Sequence, residues 1–364
     1  MDTPDVDSAL IVGLLDALRA LPEVKADIVR QSGVAEGPAL VNGLSLSMLV
    51  AGHPLVLLVG IRKALYPRDV RQALWQIRDA ASRRSGRASD ESAVTLLAAE
   101  SISPGAKELL KAERIGYFDA GGSLYLPVPG ALFFVDKPPS KSTSRAIRSL
   151  FSGRRAHVLH GLLMRNKDWL GVTELAEDVS TSPSTVSMVL TELERLDWLD
   201  SRGQGPGKQR RLSQSAALLD AWVTSLKQQP VEPMRKFFVP SMNVDALAAR
   251  LDSLCSARGI DYALTHEVAA QRYAPFLSNI SQLRIRWPAG SATESALGEL
   301  GARAVSEGVN LITIDARSAG DLLFRQQVEG IWLASPIQTY LDLMRTEGRA
   351  KELAEHLRKE RIGF

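Results

Sequence analysis

Apolar positions along this chain change period several times, and each change marks an element. Leu10, Leu14, Leu18 and Leu21 recur at helical spacing near the start. Two extended apolar runs follow, 44–50 and 54–61, separated by Ala51, Gly52 and His53, which predicts a hairpin. The pattern then predicts a helix over 68–82, a buried-type strand over 93–99 and a helix over 104–114. The run 116–127 carries Gly121 and Gly122, a turn signal for another hairpin. Hairpin strands, a crossover helix and a central apolar strand predict an α/β sandwich around a mixed sheet.

Between residues 171 and 212 the pattern becomes two short helices and a hairpin. Leu175, Ala176 and Val179 share one face of a helix that Thr173 is placed to cap, with Glu174 at its positive end. Ser180 and Thr181 interrupt it. Ser182 is placed to cap the next helix, with Pro183 at the first position, where a missing N–H costs nothing. Val186, Val189, Leu190, Leu193 and Leu196 then form a face that must be buried, while Ser184, Thr185, Ser187, Met188, Thr191 and Arg195 face the other way. Trp198 and Leu199 open a strand, Gly203, Gly205, Pro206 and Gly207 supply a turn, and Leu212 ends the returning strand. Arg202, Lys208, Arg210 and Arg211 lie on this hairpin, and no carboxylate stands between Ser201 and Leu212.

That order is the layout of a winged helix-turn-helix, which sets one helix in a DNA major groove and lays a basic hairpin along phosphates. Small hydroxyl side chains let a helix backbone approach the groove and can bond to base edges. The DNA-binding candidates are therefore Ser182, Ser184, Thr185, Ser187, Met188 and Thr191 on the helix, with Arg202, Lys208, Arg210 and Arg211 on the hairpin.

Beyond residue 230 strands and helices alternate. Candidate strands lie at 237–240, 261–264, 283–287, 310–314 and 331–334. Candidate helices lie at 244–258, 267–273 and 294–307, and a charged amphipathic helix at 349–360. The Pro- and Ser-rich stretch 137–144 and the Pro-rich stretch 230–233 read as boundaries. They divide the 364 residues into three segments: 1–140, 141–230 with a lead-in helix near 145–165, and 231–364. The expected fold class is multidomain α/β: a nuclease-like α/β sandwich, a central winged helix-turn-helix and a C-terminal nucleotidyltransferase-like α/β domain.

A formal net charge of +3 is small, so the argument for nucleic acid rests on the local hairpin and not on the whole chain. The single cysteine, Cys255, excludes an internal disulfide and a cysteine-rich zinc site. Acids near the first residues and short apolar runs predict a cytoplasmic protein with no membrane partner. His157 and His160 stand three apart on the lead-in helix, but no third ligand of suitable spacing is near, so core or surface placement is expected. No nucleophile-elbow motif and no phosphate-binding P-loop occur.

The order of elements in the first segment, with the run from Leu57 to Ile77, resembles the restriction-endonuclease-like fold. Active members of that fold carry a Glu-x-Lys pair on the second hairpin strand and an Asp on its neighbour, holding Mg²⁺ and activating water. Gly60 stands where the Glu belongs and Arg62 where the Lys belongs, and no Asp or Glu occurs between Gly37 and Arg68. The C-terminal segment has a nucleotidyltransferase-like order, yet its strand 283–287 offers Arg284 and Arg286 where acids would bind metal.

The helix-turn-helix, the stretch 261–275, and the motifs Ser103-Pro104-Gly105-Ala106 and Tyr340-Leu341-Asp342-Leu343 together resemble AbiEi-type antitoxins of type IV toxin–antitoxin systems. The chain departs from that pattern at His266, where relatives tend to have Gly, and along 44–49, which lack the acid of better-kept nuclease-like members. The resemblance implies a non-enzymatic transcriptional regulator that binds double-stranded DNA at its own promoter. It also implies a nucleotidyltransferase-like toxin as partner, and leaves a homodimer open. No metal and no cofactor are expected. The alternatives are a nuclease targeted by its winged helix, and a protein-interaction module.

Overall fold

A computed structural model of the chain describes residues 6–28, 43–83, 93–137, 149–276 and 279–364. It is a mixed α/β protein with two large mixed sheets. The chain divides into two compact units, Met1–Ile147 with Glu192–Asp197, and Arg148–Thr191 with Trp198–Phe364. Of the segment expected as a middle domain, Arg148–Thr191 and residues 198–230 group with the C-terminal block, and Glu192–Asp197 group with the first unit.

In the first unit, seven strands lie side by side in chain order: β1 (Val24–Ile28), β2 (Gly43–Val50), β3 (His53–Leu65), β4 (Ala93–Ile102), β5 (Gly116–Asp119), β6 (Leu124–Val128) and β7 (Ala131–Val135). The β2–β3 hairpin turns on Ala51 and Gly52, both at positive φ, the two-residue geometry that matches strand twist. β3, β4 and β5 run parallel, joined by α2 (Pro67–Arg83) and α3 (Pro104–Ala112), whereas the outer pairs are antiparallel. The period of two along β4 explains the layers. Leu96 and Ala98 face a core with Leu10, Leu14 and Leu18 of α1 (Val6–Arg19). Leu97 and Ala99 face the opposite core with Val70 and Leu74 of α2 and Leu110 of α3. β1 and β7 go beyond the expected elements here. Residues 138–144 of the predicted linker and 145–148 of the lead-in helix lie outside the described residues.

The second unit begins with α4 (Gly153–Met164), α5 (Val172–Asp178) and α6 (Pro183–Arg195), whose last four residues group with the first unit. The hairpin of β8 (Leu199–Arg202) and β9 (Gln209–Leu212) follows, then α7 (Ser215–Leu226). Its large sheet contains β10 (Met234–Phe238), β11 (Ala263–Thr265), β12 (Leu283–Pro288), β13 (Arg303–Ala304), β14 (Leu311–Ala316), β15 (Gln326–Val328) and β16 (Ile331–Leu333), in the order β13-β10-β14-β12-β11-β16-β15. The helices here are α8 (Val244–Arg258), α9 (His266–Tyr273), α10 (Ser291–Glu299), α11 (Pro336–Met344) and α12 (Arg349–Leu357). Leu247, Leu251 and Cys255 of α8 pack with Leu283, Ile285 and Trp287 of β12 in one core. Burial pushes the Cys255 thiol up to about 12, so it stays a packing group. α10 ends well before the expected residue 307, because Gly301 turns the chain at positive φ into β13.

Candidate nucleic-acid interface

The polypeptide from α4 to α7 builds a face of small polar groups from a hydrophobic wedge beneath it. Gly171, not Thr173, stands at the N-cap of α5, so Thr173 already lies inside the first turn. Ser180, at a φ of 47°, turns the chain out of α5, and Thr181 N donates to Ala176 O at 2.9 Å. Ser182 Oγ then accepts from Thr185 N at 3.3 Å and caps α6, as its position before Pro183 predicts. Val186, Val189, Leu190 and Leu193 are wholly buried and fix the rotation of the helix.

That rotation leaves Ser182, Ser184, Met188 and Thr191 exposed and Thr185 and Ser187 half-buried. The hydroxyls are pre-arranged among themselves. Ser182 Oγ lies 3.0 Å from Ser184 Oγ and 2.9 Å from Thr185 Oγ1, and Thr191 donates to Ser187 O at 2.8 Å. A hydroxyl can rotate to exchange such bonds for bonds to a base edge or phosphate. Met188, 58% exposed, is the one large apolar group on this face.

Beside it, Leu170 extends the hairpin to three strands: Leu170 N donates to Arg210 O at 2.8 Å and Arg210 N to Leu170 O at 2.9 Å. This corrects the expectation for Arg210. Its residue is only 8% exposed, so it serves the inner side of the hairpin. Arg202 is exposed, Lys208 and Arg211 half-buried. Arg202 is held by Gln209 Oε1 at 2.7 and 2.9 Å, and Arg211 pairs with Asp200 across the strands at 2.8 Å. Both guanidiniums also lie within 5 Å of the centre of the Trp169 ring. Such contacts are worth about 0.5–1 kcal/mol each at exposed sites and hold the forks extended.

Sequence reasoning missed Trp169 and Asp200. A tryptophan directly before the Leu170–Gly171 helix start, and an acid that hairpin register sets opposite Arg211, were the available signals. Arg165 adds a tie at the end of α4, with Asp168, Glu174 and Asp178 at 2.9, 2.7 and 2.5 Å.

The other candidate residues lie in both sheets and in α4. Gly60 pairs in register with Gly43 and Leu97 in mid-sheet, and Arg62 Nη1 donates to Ile61 O at 2.9 Å. On the same side, Asp119 is buried with Lys107 Nζ at 2.9 Å, and Lys107 also donates to Ser123 Oγ at 2.7 Å. Arg286 is buried between Asp342, at 2.6 Å, and Glu232, at 2.7 Å; Arg284 lies 3.7 Å from Glu267. Burial opposes ionisation of Asp342, but Arg286 outweighs it and holds the carboxyl at about 2.

His266 is buried at a φ of 57°, a backbone region that favours glycine. His160 Nε2 lies 2.6 Å from Ser335 Oγ and His157 Nε2 3.6 Å from Asp321, so the two face different partners. Among the described residues no group of three or more His, Cys, Asp and Glu could hold a metal ion. None of the described helices is long and apolar enough to cross a membrane. No protein-family model matches the chain, and comparison with curated proteins finds no significant match.

Proposed function

We propose that this chain is a DNA-binding transcriptional regulator in which the region from α4 to α7 works as a winged helix-turn-helix. The observation that carries this reading is the α6 face. It presents Ser182, Ser184, Thr185, Ser187, Met188 and Thr191 without a single acid from 183 to 191, beside a hairpin offering Arg202, Lys208 and Arg211. An anionic duplex would meet donors along the α6 face and, on the hairpin, cations whose one acid, Asp200, is paired with Arg211. The sequence resemblance to AbiEi-type antitoxins extends the proposal to repression of its own promoter and to neutralising a nucleotidyltransferase-like toxin.

Gel shift with DNA from upstream of its own gene tests the reading. The intact chain should give a sequence-preferring complex. Thr185→Ala should change site preference, by about 1–3 kcal/mol at the base pair it reads. Arg202→Ala with Arg211→Ala should weaken binding to every duplex alike. Equal affinity of the intact chain and the double variant would remove the hairpin from the interface. The nuclease alternative has less support, since Gly60 and Arg62 offer no carboxylate for Mg²⁺.

A further inference from the structure

A cavity of about 540 Å³ opens within the second unit, between helices α4 and α7 on one wall and β12, the 317–321 turn and α11 on the other. Its polar lining is unbalanced. Four arginines face it, Arg154, Arg286, Arg317 and Arg345, against three carboxylates, Glu232, Asp321 and Asp342. The carboxylates are already engaged. Asp342 takes Arg286 and Thr265 on Oδ2 at 3.0 and 2.5 Å, and Arg286 and Gln338 on Oδ1 at 2.6 and 2.8 Å. Glu232 accepts from Arg286 at 2.7 Å, and Asp321 from the Arg317 N–H at 2.7 Å.

The arginines are not all engaged. Among the described residues no carboxylate lies within 4 Å of the Arg154 or Arg345 guanidinium, and Arg345 makes only a long 3.5 Å contact to Gln229. Arg317 has a side chain 73% exposed and a single long ion pair, 3.8 Å, to Glu232. Donors are therefore left over while acceptors are not. The ligand that fits is one with several anionic oxygens close together, because planar guanidinium forks bind phosphate bidentately. The volume is far larger than one inorganic phosphate and suits a molecule of nucleotide size. Phe151 and Trp222 supply the apolar part of the wall.

We propose that this cavity binds a phosphate-bearing small molecule of nucleotide size, held by Arg154, Arg317 and Arg345, and that its occupancy tunes DNA affinity. The coupling follows from the walls: α4 and Ser180 belong to the helix-turn-helix region, whereas Arg317 and Arg345 belong to the C-terminal block. The regulatory half rests on the DNA-binding reading; the binding half does not.

Titration calorimetry on the full chain, with AMP, ADP and inorganic pyrophosphate as probes and adenosine as the uncharged control, tests the site. One AMP or ADP per chain should bind and adenosine should not. Arg345→Ala and Arg154→Ala should each weaken that binding about tenfold, the loss of one charge-assisted contact. Circular dichroism should stay unchanged in both variants, since among the described residues neither side chain carries an ion pair. Silence with all three phosphate probes at millimolar concentration, or equal affinity in the variants, overturns the site. Gel shift with saturating ADP then addresses coupling: a changed DNA affinity supports it, and an unchanged one overturns it. ADP binding without any DNA binding would retain the site and overturn the DNA reading alone.

Discussion

At the residue scale, the costliest groups in this molecule are its buried charges. Lys107 and Asp119 have side chains 9% and 7% exposed, and Ser123 completes their hydrogen bonds. Lys107→Met keeps the volume but strands the carboxylate, so it should cost about 3–5 kcal/mol in urea unfolding, with Asp119→Leu in the same chain restoring most of it. A loss under 1 kcal/mol would mean water reaches Asp119. Burial also lowers His160 and His266 to about 3, so the folded state keeps both neutral. The unfolded chain takes up those protons below a pH of ~6.5, so stability is full above that pH and falls as pH drops from there toward 3. Between pH 7 and pH 5 each histidine should remove about 2 kcal/mol, and His160→Gln should halve the pH dependence. An unfolding midpoint that stays constant from pH 7 to pH 5 would contradict the burial of both rings. The Asp342 contribution has a different window: it is present above about pH 4 and is lost as pH falls toward 2.

At the element scale, close approach is set by single glycines. A Cβ on Gly161 of α4 would stand 2.6 Å from Val179 Cγ1 and 3.0 Å from Leu175 Cδ1, at the crossing of α4 with α5 and the turn before α6. Gly161→Ala should therefore destabilise by about 1–2 kcal/mol despite the better helix propensity of alanine. Gly298 on α10 has open space, so Gly298→Ala should stabilise by a few tenths to about 1 kcal/mol. Thermal unfolding of the two variants should shift in opposite directions. Elements with their own period were legible in the sequence: the β2–β3 hairpin, most helices of both units though not α7 or α11, and the cap at Ser182. β1, β7, β13 and β15, of five, five, two and three residues, were not, because strands that short are defined by their neighbours. The placement of Arg210 was legible and overlooked. Leu212 is buried on β9, and a period of two puts Arg210 on the same side. Lys107 and Asp119 meet only through the α3–β5 connection, which no local pattern encodes.

At the scale of the whole molecule, a net charge of +3 over 364 residues gives little long-range attraction for a polyanion. On the proposed reading, affinity for DNA must then come from the few cations that reach the phosphates, and the structure changes that number. Four basic residues sit on the hairpin, but Arg210 is turned inward, leaving Arg202, Lys208 and Arg211. Each neutralised phosphate releases counterions worth a slope of about −0.9 in log K against log salt. The slope should therefore be about −3 per bound chain if the hairpin supplies the phosphate contacts. Arg202→Ala and Arg211→Ala should each flatten it by about one unit. Arg210→Ala is the internal control: it should leave the slope unaltered and lower stability instead, since Arg210 is buried on the inner side of the hairpin beside Leu170. Fluorescence anisotropy across a salt series reads all three. A slope that flattens equally for Arg210→Ala would mean that the hairpin turns this side chain outward on DNA. A slope of −6 or steeper would mean that cations outside the hairpin carry much of the duplex.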